Sequence, residues 1–184
     1  MRLFVSVDLP DRLAEPIAAL QAEFAGASGL EVVDPTQTHV TMKFLGDTDP
    51  ERVAKITQAL EAAVETAGVE PFTATFEGLG VFPSPEYIRV LWLGVGAGRE
   101  QFEALQAPIE SELVGLGFDP ADHEFTPHVT LARMKHAGGK ELVQDRLAAL
   151  TPTVGEMTVS AVHLTESVLT EDGPVYETVE RIEL

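Results

Sequence analysis

Two stretches of this chain set out the same chemistry at the same spacing: His39-Val40-Thr41-Met42 and His128-Val129-Thr130-Leu131. Their β-branched and apolar residues favour strands, in which alternate side chains share a face. His39 and Thr41 then point one way, Val40 and Met42 the other, and the second tetrad repeats the arrangement. An imidazole beside a hydroxyl, projecting from a strand with a buried back, suits acid–base work on an oxyanion. Two such pairs facing each other supply both an acid and a base. Histidine fits either role because its ordinary pKa is about 6.5, and the symmetry of the tetrads leaves the two roles interchangeable.

His163-Leu164-Thr165 has the same pattern, so flanking context must separate the tetrads from chance. Val33-Asp34-Pro35 leads into the first and Lys43-Phe44-Leu45-Gly46 follows it; Phe125-Thr126-Pro127 leads into the second and Ala132-Arg133 follows. His163 and Thr165 lie outside the repeated position, beside Glu166, and are expected to be structural. His123 and His136 fall in polar loops and read as surface residues. Lys43 shares strand parity with His39 and Thr41, which would bring its charge to the same face, with a solvated lysine as the equal rival. Arg133 falls on the opposite face if its strand stays regular, so a structural salt bridge competes with a site role, and Arg89 stands similarly. Phe44, Phe82 and Phe125 read as core or cleft wall, with base stacking as the rival, and Tyr87 and Trp92 as packing.

The elements that must carry these residues follow from periodicity. Leu3 to Val7 reads as a buried strand, and Leu13, Ile17, Leu20 and Phe24 as one face of a helix ended by Gly26 to Gly29. Asp49-Pro50 supplies an N-cap and first helical residue for a stripe of Val53, Ile56, Leu60 and Val64 before Gly68. Phe72 to Phe76 alternates as a strand, Gly78 to Pro85 reads as a loop, and Tyr87 to Val95 as a strand. Phe102, Leu105, Ile109, Leu113 and Leu116 mark a further helix, and Leu142, Val143, Leu147 and Leu150 a shorter one. Strands around Thr153 to Thr165 and Val175 to Ile182 close the chain. The order strand, helix, tetrad strand, helix, strand occurs twice, giving pseudo-repeats of about 1–82 and 86–184 within one domain, 1–184. The expected fold is α+β and bilobal, two antiparallel sheets with outer helices and a central cleft where a pseudo-twofold brings the tetrads together.

A chain of 184 residues, 45% hydrophobic, can bury a substantial core. It has no cysteine, which excludes disulfides, thiolate metal sites and cysteine nucleophiles and suits a reducing cytosol. The apolar opening Leu3 to Val7 is cut off by Asp8 and Pro10, too short for a signal-peptide core or a membrane span; a cytoplasmic location is expected. Net charge is −18, from 30 acidic against 12 basic residues. A nucleic-acid binder ordinarily spreads cations over its contact surface. A cytoplasm at very high salt reconciles the two, because repulsion is screened within about 3 Å at 1 M, and the composition resembles that of salt-in halophiles. A small substrate is the other resolution.

With their flanks, the tetrads resemble those of the two-histidine (2H) phosphoesterases, and most closely the RNA 2′,3′-cyclic phosphodiesterase branch, also called 2′-5′ RNA ligase. The likeness extends to Leu3-Phe4-Val5, Phe82-Pro83, Arg89-Val90-Leu91-Trp92, and Ser167 through Gly173-Pro174 to Tyr176; Met42 stands where leucine is usual and Val33 where an aromatic is common. The resemblance implies hydrolysis of an RNA 2′,3′-cyclic phosphate end, possible substrates including tRNA fragments, to a 2′-phosphate, without metal or other cofactor. It implies His39 as proton donor and His128 as proton acceptor, Thr41 and Thr130 on phosphate oxygens, and Arg133 in the cleft binding phosphate or ribose, with Lys43 and Arg89 as further substrate-binding candidates. Reversed, the same chemistry would join RNA ends through a 2′-5′ linkage without ATP. A monomer with no membrane partner is expected. The alternatives are a phosphodiesterase for small cyclic nucleotides, a non-catalytic RNA-end binding module and, last, a metal hydrolase, since neither tetrad carries a carboxylate at ligand spacing.

Overall fold

The computed structural model describes residues 1–184. Its first strand, β1 (Arg2–Asp8), is buried on both faces from Leu3 to Val7, as its apolar run, interrupted only by Ser6, requires of a central strand. Helix α1 (Ala14–Ala22) and the short strand β2 (Leu30–Val32) lead to β3 (His39–Asp47). Helix α2 (Val53–Ala67) shows its capping chemistry plainly: Asp49 accepts from the Glu51 N–H, Pro50 opens the first turn, and Gly68, at φ 63°, ends the helix in a left-handed conformation. Strands β4 (Phe72–Ser84) and β5 (Tyr87–Val95), helix α3 (Arg99–Gly115), strand β6 (His128–Met134), helix α4 (Lys140–Ala149) and strands β7 (Thr153–Val159), β8 (Ala161–Thr170) and β9 (Gly173–Glu183) complete the chain.

The strands are ordered β7-β4-β5-β6-β3-β1-β8-β9, all neighbours antiparallel, with β2 added beside β6. Four strands lie on each side of the β6–β3 junction, with the two tetrad strands innermost. The two antiparallel sheets expected from the sequence are thus continuous, but only through one pair, Val40↔Val129. Beyond it the strands part, and β2 takes over as partner of β6 from Ala132 to Met134. The halves are not contiguous in sequence: β4 pairs with β5, whereas β8 pairs with β1. β7 and β8 lie in opposite halves although only Ser160 separates them. Helices α2 and α3 pack on each other and on the β3–β9 half; α1 packs on the other, against β6 and β7. Phe24, Phe76, Phe102, Leu105 and Ile109 are fully buried between helices and sheet.

The stretch expected as a loop, Gly78 to Pro85, instead continues β4 to Ser84 after a bulge between Phe76 and Leu79. Gly78 takes a left-handed φ of 76° at the bulge, whereas Gly80 serves a close approach. Gly80 pairs with Trp92 on β5, and the indole lies across it so closely that a Cβ would overlap the ring.

Candidate active site

The Val40↔Val129 pair sets the geometry of the cleft. Both valines are fully buried, with Met42 and Leu131 beside them on the same back face. His39, Thr41, His128 and Thr130 project from the opposite face and are partly exposed. Both histidines are held in the same way: His39 Nδ1 lies 3.1 Å from the Gln37 carbonyl and His128 Nδ1 2.6 Å from the Thr126 carbonyl. A carbonyl only accepts, so each Nδ1 donates, which leaves Nε2 as the reactive nitrogen. The turn carrying the Gln37 carbonyl is itself fixed. Asp34 caps it through the Thr36 N–H at 2.9 Å, and the Gln37 side chain accepts from the Tyr176 N–H at 2.8 Å, tying it to the β8–β9 hairpin.

Each imidazole sits against two aromatic rings. Phe4 and Tyr176 lie 4.9 and 5.0 Å from His39, and Phe82 and Trp92 lie 5.0 and 5.8 Å from His128, centroid to centroid. The surroundings differ in charge. Across β1, Asp8 pairs with His39, whereas on β5 the residue paired with His128 is Gly94. Asp8 accepts from Ser6 Oγ at 2.8 Å, and its other oxygen lies 3.6 Å from His163 Nδ1. Burial pushes the His39 pKa below its ordinary value against the Gln37 hydrogen bond and the Asp8 charge, which act upward, while Arg133 adds to the lowering. Burial likewise lowers that of His128, opposed by the Thr126 hydrogen bond and reinforced by the positive charges of His39, Arg133 and His123.

The 2′-5′ RNA ligase superfamily model matches residues 9–170. The chain belongs to this superfamily. Its relatives include proteins named RNA 2′,3′-cyclic phosphodiesterase from Methanothermobacter thermautotrophicus, 35% identical over 98% of this chain and 97% of the relative, and from Thermus thermophilus, 33% identical over 100% and 90%. A crystal structure of a Thermus thermophilus protein superposes with a TM-score of 0.80 at 29% identity, covering 100% of this chain and 98% of the other. That of Escherichia coli LigT complexed with 3′-AMP shares the fold, at a TM-score of 0.78 and 23% identity over 100% and 97%.

In this superfamily member the parity of the tetrad strands changes just past the threonines. Ser6 pairs with Thr41 but Val5 with Lys43, and Trp92 pairs with Thr130 but Leu91 with Ala132, so each tetrad strand carries one extra residue, a β-bulge at the matching place. The bulge turns Arg133 onto the face of His128 and Thr130, where a regular strand would have turned it away. It turns Lys43 the other way. Expected in the cleft, Lys43 is buried behind the sheet, 7% exposed, donating to Glu110 Oε2 and the Asp119 carbonyl, both at 2.8 Å. Burial alone would raise the Glu110 pKa, but the Lys43 and Ala121 hydrogen bonds and the Lys43 charge outweigh it and lower it. Arg89 is not beside the histidines; its guanidinium lies 5.7 Å from the Tyr87 ring, at the far end of β5.

Spacing alone does not place Asp8, Phe4, Tyr176 and Trp92 around the histidines, because only the strand pairing brings them there. His163 pairs with Ser6, itself the partner of Thr41, so it stands on the cleft face two strands out from the tetrad. Phe82 forms cleft wall against His128, as read from the sequence, whereas Phe44 is 70% exposed rather than core.

Proposed function

We propose that this chain hydrolyses the 2′,3′-cyclic phosphate at the 3′ end of RNA, breaking the bond to the 3′ oxygen and leaving a 2′-phosphate. The carrying observation is the pair of histidines on adjoining strands, each with Nδ1 tied to the carbonyl two residues upstream and Nε2 free for proton transfer. The activity for which the superfamily relatives are named supports the substrate. His128, neutral, takes a proton at Nε2 from the attacking water. His39, protonated, gives its Nε2 proton to the departing ribose oxygen. This assignment is favoured by Asp8, whose negative charge stabilises the imidazolium of His39 and has no counterpart at His128, where Gly94 stands. Thr41 and Thr130 hold the non-bridging oxygens, and Arg133 offsets the charge that builds on them, because phosphoryl transfer rests on positioning and electrostatics. The reverse reaction, joining the cyclic phosphate to a 5′ hydroxyl without ATP, uses the same groups. The protein acts as a monomer, and tRNA fragments with cyclic phosphate ends are suitable substrates.

The test is to incubate the protein with a short RNA ending in a 2′,3′-cyclic phosphate, and separately with a cyclic mononucleotide, and to identify the products by phosphorus NMR. A 2′-phosphomonoester from the RNA is the expected product. A 3′-phosphomonoester would exchange the roles of the histidines, and turnover of the mononucleotide alone would make a small cyclic nucleotide the substrate.

A further inference from the structure

Cations are scarce in this chain, twelve in all, and half of them are engaged elsewhere. Lys43 is buried against Glu110, Arg99 pairs with Glu103 and Arg181 with Glu183, while Arg12, Arg52 and Arg146 each donate to a backbone carbonyl. Against a net charge of −18, one place gathers positive charge. At the far ends of β5 and β6 an open pocket is lined by Arg89, Lys135 and Lys140 with Tyr87 and His136, against Glu86 in its lining and Glu31, which pairs with Lys135. A second pocket balances Arg52 and Lys55 against Asp49 and Glu51.

The pocket adjoins the cleft. Arg133 pairs with Val90, the neighbour of Arg89, and Lys135 follows Arg133 by two residues, about 6.6 Å at strand spacing. The aromatic in it is available: Tyr87 is 59% exposed, with the Arg89 guanidinium near its ring. Lys140 reaches the Glu86 carbonyl at 3.3 Å and Lys135 the Glu31 carboxylate at 2.8 Å, so both ammonium groups are held at the rim. An exposed ring surrounded by cations is the arrangement that stacks a base and neutralises the phosphate next to it.

We propose that this pocket binds a nucleotide upstream of the RNA 3′ end, its base on Tyr87 and its phosphate on Arg89, Lys135 and Lys140. The assignment rests on the function proposed above and deepens it: the substrate is an oligonucleotide, threaded from the cleft past Arg133 into the pocket. Local charge also accounts for RNA binding by an acidic chain without a basic face.

The experiment compares steady-state kinetics on a tetranucleotide ending in a 2′,3′-cyclic phosphate and on the cyclic mononucleotide, at the lowest KCl concentration that preserves the circular dichroism spectrum. The proteins are wild type, Tyr87→Ala, the triple variant Arg89→Ala/Lys135→Ala/Lys140→Ala, and Lys55→Ala as a charge control. Loss of the base stack or the phosphate contacts is expected to raise KM for the tetranucleotide about tenfold or more, with kcat, and all constants for the mononucleotide, unchanged; Lys55→Ala changes neither. Equal effects on both substrates, or none on either, overturn the pocket while leaving the cyclic phosphodiesterase reading in place. Failure of wild type to turn over either substrate overturns that reading and the pocket with it.

Discussion

Replacing Asp8 by Asn should move one limb of the pH–rate profile and leave the other. The amide oxygen still accepts from Ser6 Oγ, which now bonds Asp8 at 2.8 Å, so the substitution removes a charge with little change of shape. Asp8 and His39 are cross-strand partners, and such pairs hold their Cβ atoms about 5 Å apart, which puts the carboxylate and ring roughly 7 Å from each other. Asp8 is 40% exposed, so a dielectric constant of about 40 is appropriate; Coulomb's law then gives roughly 1.2 kcal/mol. The Asp8 charge raises the His39 pKa, and its removal lowers it. If protonated His39 is the acid, the alkaline limb of kcat/KM moves to lower pH, while the acid limb, set by deprotonation of His128, stays. Because two nearby histidines titrate as a pair, the readout is the displacement of each limb and not an absolute pKa. The assay is kcat/KM on the cyclic phosphate RNA between about pH 5 and 9 for both proteins. Movement of the acid limb instead would exchange acid and base, and a profile unchanged on both limbs would remove Asp8 from the account.

Arg133→Ala should lower kcat/KM by about 10- to 100-fold, as removal of one charge-stabilising donor does, and Arg133→Lys should recover part of the loss; a change below twofold would place the guanidinium outside the reaction. Lys43→Met should cost about 1–3 kcal/mol in urea denaturation by leaving the Glu110 carboxylate without its partner, with KM unchanged, whereas a large KM effect at intact stability would return Lys43 to the site. Glu110 has a lowered folded-state pKa, so its contribution to stability is present above its ordinary value of 4.5 and is lost as pH falls through the folded value; acid unfolding of Lys43→Met should accordingly be less steep than that of wild type. Gly80→Ala should destabilise by about 1–3 kcal/mol through overlap with the Trp92 indole and lower activity by displacing that ring from His128, and a neutral melting temperature would contradict the packing.

The tetrads were legible because their chemistry is local: residue type, spacing and strand parity together put His39 with Thr41 and His128 with Thr130. Helix α2 was legible for the same reason, its caps at Asp49, Pro50 and Gly68 being short-range. Parity stopped working two residues later, because a bulge adds one residue to a strand without a sequence mark, and its effect was to send Arg133 into the cleft and Lys43 out of it. Asp8, Tyr176 and His163 could be placed only by strand pairing over long separations, and register is a property of the whole sheet. Gly78 to Pro85 read as a loop because Gly and Pro usually punctuate, yet Gly80 is where it is to admit Trp92. The single sheet is not legible from sequence, since its continuity rests on one residue pair.

The most direct test of the account is turnover of an RNA 2′,3′-cyclic phosphate by wild type, His39→Ala and His128→Ala in the presence of EDTA, with circular dichroism confirming that each variant is folded. Both substitutions are predicted to reduce kcat by about 10²- to 10⁴-fold, the range for loss of a general acid or base, while wild type remains active. Either variant retaining turnover within a few fold of wild type, or loss of wild-type turnover on chelation, would contradict the two-histidine mechanism.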